Sequence, residues 1–310
     1  MAAALSKRNS LVGKKPYEVI TDRILDRLRQ GVIPWRQSWR SGPSNPPMNI
    51  SGRPYRGINP FILNTMGYSS PYWITYREAK RRGGHIRAGE KGCPVVFWKI
   101  LSRVVDNGEG DAEEKNIPLL RYYTVFNEAQ VEGVEFPKRE VVSDFDPIES
   151  CEAIIEKMPQ RPEIRHGGDK ACYIPALDII KMPLKEQFVS AQSYYSVLFH
   201  EATHSTLHST RLNRRTGEDD FKFGSHAYSK EELVAEMGAA FLCGHAGIEQ
   251  DTLENSAAYI SSWLSKLEGD PKFVIFAAAQ AQRATDFILG PQASETEDDD
   301  AAVEPTDQTA

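Results

Sequence analysis

The sequence predicts an α+β protein in two parts, and three observations carry that reading. Two runs rich in Val, Tyr and Phe with strand character lie in the first half. Apolar and amphipathic stretches of helical length dominate the second half. Charge changes sign between them: residues 1–130 carry 21 Lys and Arg against 11 Asp and Glu, while residues 131–310 carry 16 against 32. The net charge of −6 hides this split, which suggests two domains with different partners. A chain of 310 residues is long enough to give each domain a sizeable core.

Taken in order, residues 1–15 read as a flexible basic leader without the apolar stretch of a signal peptide. Ile20, Ile24, Leu25 and Leu28 follow a 3.6-residue period, predicting a helix over Tyr17–Leu28 that Gly31 ends. The passage from Gly42 to Pro60 is too punctuated by Pro and Gly for regular structure. Tyr76–Arg82 reads as a short basic helix closed by Gly83 and Gly84. Strands are expected at Cys93–Lys99 and Arg121–Phe126, with Asp106–Asn116 a solvated hairpin loop between them. Residues 131–147 loosen into charge and proline and read as a linker, dividing a first domain at 16–130 from a second at 148–290.

Beyond the linker come a helix near Ile148–Met158, strands around Ile164 and Ala171–Ile180, and a helix over Ser193–Leu207. A second helix, acidic at Glu231, Glu232 and Glu236 and apolar afterwards, starts from a Ser229 cap. Helices over Ser256–Leu267 and Phe273–Leu289 follow. The last 20 residues hold seven acids and no Lys, Arg or aromatic residue, so 291–310 should be a disordered acidic tail.

Composition is that of a soluble globular protein, 40% hydrophobic and 26% charged. No run approaches the roughly 18 apolar residues needed to span a bilayer, so no membrane partner and a cytoplasmic location are expected. Cys93, Cys151, Cys172 and Cys243 show no C-x-x-C pairing, which argues against a disulfide framework or a cysteine-bound zinc.

His200-Glu201-Ala202-Thr203-His204 is an H-E-x-x-H run on a stretch of helical length. On a helix, positions i and i+4 share a face, so two imidazoles can converge on one cation, with Glu201 beside them as general base for a metal-activated water. So short a pattern also arises by chance, but the apolar residues before it suggest a buried helix, and buried histidines need partners. The third ligand is expected to be Glu232 of the second helix, ahead of Glu236 and of another residue such as His208 or His226. The spacing of Glu232 and Glu236 resembles gluzincin-type metallopeptidases, which would make Glu236 an outer partner orienting a ligand. Against this, a capping box with Ser229 would turn Glu232 back to the backbone. His208 continues the histidine series but rotates off its face, so it reads as outer partner or packing. The third histidine of metzincins would fall at position 210, which is Thr210. Zinc follows from ligand type, and Mn2+ or another divalent ion also suits such a set. Tyr228 and His226 are candidate oxyanion donors.

Single-stranded nucleic acid is held by basic grooves that track phosphate and by aromatic rings that stack on bases. The first half supplies Trp35, Trp39, Tyr55, Trp73 and Tyr76 interleaved with Arg36, Arg40, Arg53, Arg56, Arg81, Arg82 and Lys91. Any one of these rings could equally be core, with arginines merely covering it.

A family resemblance rests on an ordered series in this chain: Val32-Ile33-Pro34-Trp35, Trp39, Ser51 to Asn59, Trp73-Ile74-Thr75-Tyr76, Gly83-Gly84, Gly89 to Gly92 and Val125-Phe126-Asn127. These look like the N-terminal domain of the plasmid ArdC antirestriction proteins, also found in TraC-type conjugative primases. The run His200–His204, with Arg211-Leu212-Asn213-Arg214 and Glu231–Glu236, is similar to the zincin-like metallopeptidase domain that follows it in ArdC. The resemblance implies a single-stranded DNA-binding domain, in which Asn59 joins the candidates, ahead of a zincin-like domain. It also implies protection of incoming mobile-element DNA from restriction. Double-stranded DNA is a further partner to consider, and a restriction-enzyme subunit a candidate protein substrate. Two other readings stay open: a DNA-tethered protease acting on DNA-bound or crosslinked proteins, and a DNA-binding protein whose zincin fold is not catalytic.

Overall fold

A computed structural model describes residues 15–36, 46–106, 112–137, 146–214, 226–248 and 257–290. Residues 1–14 of the proposed leader, the acidic tail, and residues 138–145 of the expected linker lie outside the described residues.

Helix α1 spans Pro16–Arg29. Pro16 pre-sets its first turn, Glu18 faces the positive end of the helix dipole and Arg27 and Arg29 the negative end. Its periodic face, Ile20, Ile24, Leu25 and Leu28, is buried as expected. Gly31 leaves the helix at φ 77°, a left-handed conformation that suits glycine.

The first half continues through β1 (Met48–Asn49), α2 (Asn59–Asn64), β2 (Tyr72–Thr75), α3 (Tyr76–Arg81), β3 (His85–Ile86), β4 (Cys93–Asp106), β5 (Ala112–Asn127) and β6 (Val131–Glu132). Its main sheet has the order β1-β2-β5-β4. The β4–β5 pairing runs from Cys93↔Val125 to Asp106↔Ala112, so the expected hairpin loop is largely strand. Polar residues do not stop an antiparallel ladder, because its bonds are main-chain. The Pro- and Gly-rich passage also holds more structure than expected. Pro60 sits in the first turn of α2, where its missing N–H costs nothing. Asn59 then donates to the Val96 carbonyl and accepts from the Val96 N–H, each at 2.8 Å, covering part of the open edge of β4.

The second half comprises α4 (Pro147–Lys157), a sheet of β7 (Glu163–His166), β8 (Cys172–Ile174) and β9 (Ile179–Met182) in the order β7-β9-β8, then α5 (Ala191–Ser205), α6 (His226–Ala246), α7 (Ala257–Gly269) and α8 (Phe273–Leu289). Because α6 begins at His226, Ser229 lies inside the helix and is not its cap. The capping-box role weighed for Glu232 therefore falls away.

The two halves do not enclose separate cores. One apolar cluster joins Ile20, Trp35, Phe61, Trp73 and Val95 to Leu233, Met237 and Phe241 of α6 and to Trp263 and Phe273. Phe61 stacks on Phe241 with centroids 4.7 Å apart, and Trp35 meets Trp263 edge-on at 5.9 Å. A second cluster packs Ala239, Leu242 and Cys243 of α6 against α4, α5 and β9. Helix α6 is apolar on both sides because it is the wall between these clusters. The expected linker is also partly structured: β6 pairs with β3, and Phe136 packs on a small cluster with Ile50, Ile74 and Ala79. All four cysteines are unpaired. No helix among the described residues is long and apolar enough to cross a membrane.

Candidate metal centre

The site is built on α5, whose N-cap Ser190 accepts from the Ser193 N–H. Ten of its fifteen residues are buried, so its position is fixed by packing. His200 and His204, one turn apart, bring their Nε2 atoms to 3.1 Å of each other. Glu232 of α6 faces both, its Oε2 3.7 Å from His200 Nε2 and its Oε1 3.6 Å from His204 Nε2. The three donor atoms lie within 4.8 Å of one another. Two imidazole nitrogens and one carboxylate converging on one point fit the three-ligand set of a catalytic divalent cation with an open position.

The helices approach this closely because α6 carries Gly238 opposite Thr203: a Cβ there would lie 2.5 Å from Thr203 Cγ2. Glu201 is buried beside the pair, and its Oε2 accepts the Tyr173 N–H of edge strand β8 at 2.7 Å. Strand β8 is tied to the end of α5 by Arg211, which donates to Ser205 O at 2.7 Å, to the Tyr173 hydroxyl at 3.2 Å and to the Asp178 carboxylate.

Charge is concentrated here. Burial disfavours ionised Glu232, but hydrogen bonding from His200, the charge of both histidines and the Tyr228 hydroxyl outweigh it and hold the acid at about 2. Burial likewise disfavours charged His204, yet Glu231 at its Nδ1, with Glu201 and Glu232 near, raises it to about 9. Burial and Glu232 push the Tyr228 hydroxyl up to about 12. Tyr228 thus sits at the site; the side chain of His226 lies outside the described residues.

Other expected residues are placed differently. Glu236 does not face the histidines: it accepts from Trp35 Nε1 at 2.9 Å and from the Tyr259 hydroxyl. The carboxylate at His204 Nδ1 is instead Glu231, at 3.3 Å. His208 bonds Thr210 at the exposed end beyond α5. Glu231, Arg214 and Tyr173 were not anticipated as neighbours of the site. Glu231 stands beside Glu232 in sequence and Arg214 within a noted motif, but neither contact has a local spacing signature.

Among the DNA-binding candidates, Trp35 and Trp73 are buried in the shared core and offer no face to a base. Asn59 is used up on Val96. Tyr55 is partly buried against the core, Arg53 is half-buried, and Arg56 pairs with Asp286. Tyr76 is exposed, as is Lys91. Arg81, the last residue of α3, and Arg82 just beyond it are exposed but share Glu78. The side chain of Arg36, and Trp39 and Arg40, lie outside the described residues.

Residues 14–126 match the model of the N-terminal domain of anti-restriction factor ArdC, and residues 149–281 that of a zincin-like metallopeptidase. The chain is 35% identical over 298 residues to a DNA primase TraC of Escherichia coli, spanning 89% of this chain but 27% of that protein. It thus spans about a quarter of that curated relative's length. It is 33% identical to an uncharacterized protein of Sinorhizobium fredii, covering 92% of it. Among solved structures it is similar to the metal-free antirestriction ArdC protein from R388 plasmid, with a TM-score of 0.68 and 39% identity over 88% of this chain and 96% of that one. The Mn(II)-bound structure of that protein aligns with a TM-score of 0.69 and 35% identity over 92% of this chain and 100% of that one. With both domain models in order and a solved relative matched over nearly its whole length, the chain belongs to the ArdC antirestriction family.

Proposed function

We propose that this protein shields incoming mobile-element DNA from host restriction in the recipient bacterial cytoplasm. In this reading its first half binds single-stranded DNA and its second half acts as a metallopeptidase on a DNA-associated protein, such as a restriction-enzyme subunit. The DNA part is supported by the family match and by the positive balance of residues 1–130. Exposed Tyr76, Arg81, Arg82 and Lys91 are the surface candidates for stacking and phosphate contact.

The observation that carries the enzymatic part is the convergence of His200, His204 and Glu232 beside Glu201. The three hold a divalent cation; zinc follows from the ligands, and the similar ArdC structure contains Mn(II). When bound, such an ion activates water and polarises a carbonyl. In this reading Glu201 takes the proton of the attacking water and delivers it to the leaving amine, and Tyr228 donates to the developing oxyanion once its hydroxyl turns from Glu232.

Because the halves share a core, the test uses the full chain. Single-stranded DNA affinity should fall steeply with salt. Glu201→Gln should keep metal and DNA binding but lose both peptide cleavage and protection of transferred DNA. Intact protection in that variant would overturn the peptidase-based mechanism, and absent DNA binding at low salt would overturn the DNA reading.

A further inference from the structure

We infer that Arg214 is a positioning residue of the metal centre, acting on His204 through Glu231. The inference rests on the metal reading above. Arg214 and Glu231 are both almost fully buried, their side chains 8% and 9% exposed. The guanidinium grips both carboxylate oxygens, Nη1 to Oε2 at 2.6 Å and Nη2 to Oε1 at 3.0 Å. That two-pronged grip sets the plane of the carboxylate. Oε1 is thereby aimed at His204 Nδ1, 3.3 Å away, which leaves His204 Nε2 directed at Glu232 and His200.

A ligating imidazole whose other nitrogen meets a fixed carboxylate is held in one tautomer and one ring orientation. Two further contacts tie the same fork to the helix end that carries His204. Nη2 also reaches Thr203 O at 3.2 Å and Thr206 Oγ1 at 2.9 Å, both on the turn that carries His204. Nε meanwhile is buried with no partner among the described residues. Among the described residues, the Nη bonds of Arg214 go to Glu231 and to the end of α5. Arg214 also offsets the charge of Glu231, the third carboxylate beside Glu201 and Glu232 in one buried locality.

The test is titration of Mn2+ and Zn2+ into the full chain, its variants Glu231→Gln, Arg214→Met and Arg214→Lys, and the control Thr206→Val. Thr206→Val removes one of Arg214's structural contacts but leaves its grip on Glu231. Glu231→Gln and Arg214→Met should weaken metal binding by about 10- to 100-fold, the range for lost outer partners of a ligand. Arg214→Lys should recover part of that loss, and Thr206→Val should keep the parent affinity even if it melts earlier. Unchanged affinity in Glu231→Gln and Arg214→Met would overturn the inference while leaving the metal reading standing. Absence of binding in the parent chain would overturn both. Should Arg214→Met not fold, parent affinity in Glu231→Gln still overturns the inference, and a partial loss in Arg214→Lys supports it.

Discussion

Replacing Gly238 by Ala should loosen the metal centre, although alanine is the better helix former. In an unconstrained helix interior the change would stabilise by about 0.8–1.0 kcal/mol. Here the new Cβ would lie 2.5 Å from Thr203 Cγ2, 2.7 Å from Oγ1 and 3.2 Å from Cβ. Thr203 is fully buried and its hydroxyl donates to Phe199 O at 2.8 Å. Turning it aside therefore gives up a hydrogen bond worth about 1 kcal/mol. Overpacking of this kind costs about 1–3 kcal/mol, so with the lost bond and the propensity gain nearly cancelling the net loss should be about 1–3 kcal/mol. The strain falls between His204, next to Thr203, and α6, which carries Glu232, so the helices separate at the ligands. Denaturant unfolding and metal titration of Gly238→Ala, Thr203→Ala and the double variant measure this. The double variant should be less damaged than the sum of the singles by about 1 kcal/mol, since Thr203→Ala removes the two closest atoms. A more stable Gly238→Ala with parent metal affinity would refute the reasoning.

Three further outcomes are expected. Trp35→Phe keeps a ring in the core but loses the bond to Glu236, and should cost about 1.5–3 kcal/mol of stability without changing single-stranded DNA affinity at fixed salt; reduced DNA affinity with intact stability would show that Trp35 reaches DNA. Hydrogen bonds from Arg81, then Arg82, hold Glu78 at about 2, below its ordinary 4.5. Because its folded value is depressed, its contribution is present above about 4.5 and fades as pH falls towards about 2. Glu78→Gln should thus flatten the melting-temperature profile over that interval. The same substitution releases Arg81 and Arg82, so DNA affinity should rise and its salt dependence steepen, as a filter-binding series would show.

The parts of the site that follow from spacing on one helix were legible in the sequence. His200, Glu201 and His204 needed only the i, i+4 rule, while Glu232 led the candidates for third ligand on its gluzincin-like spacing, with Glu236, His208 and His226 left open. Glu231 was not legible, because which of three neighbouring acids meets His204 depends on where α6 begins and how it is rotated. Ser229 resembled a cap, yet the helix starts at His226. Composition located a basic, aromatic half but could not separate the core rings Trp35 and Trp73 from exposed Tyr76. The shared core was hidden for a related reason: an apolar-all-round helix announces burial, not which two partners bury it. Asn59 and α2 were masked by the Pro and Gly around them, where Pro60 starts a helix instead of preventing one.

The most direct test of the metal centre is equilibrium titration of Mn2+ and Zn2+ into the parent chain and Glu232→Gln, with bound ion counted after desalting. One ion per chain in the parent, and affinity reduced by more than about 100-fold in the variant, beyond the loss of an outer partner, is the expected result. Parent-like binding by Glu232→Gln, or no binding by the parent, would contradict the His200, His204 and Glu232 centre.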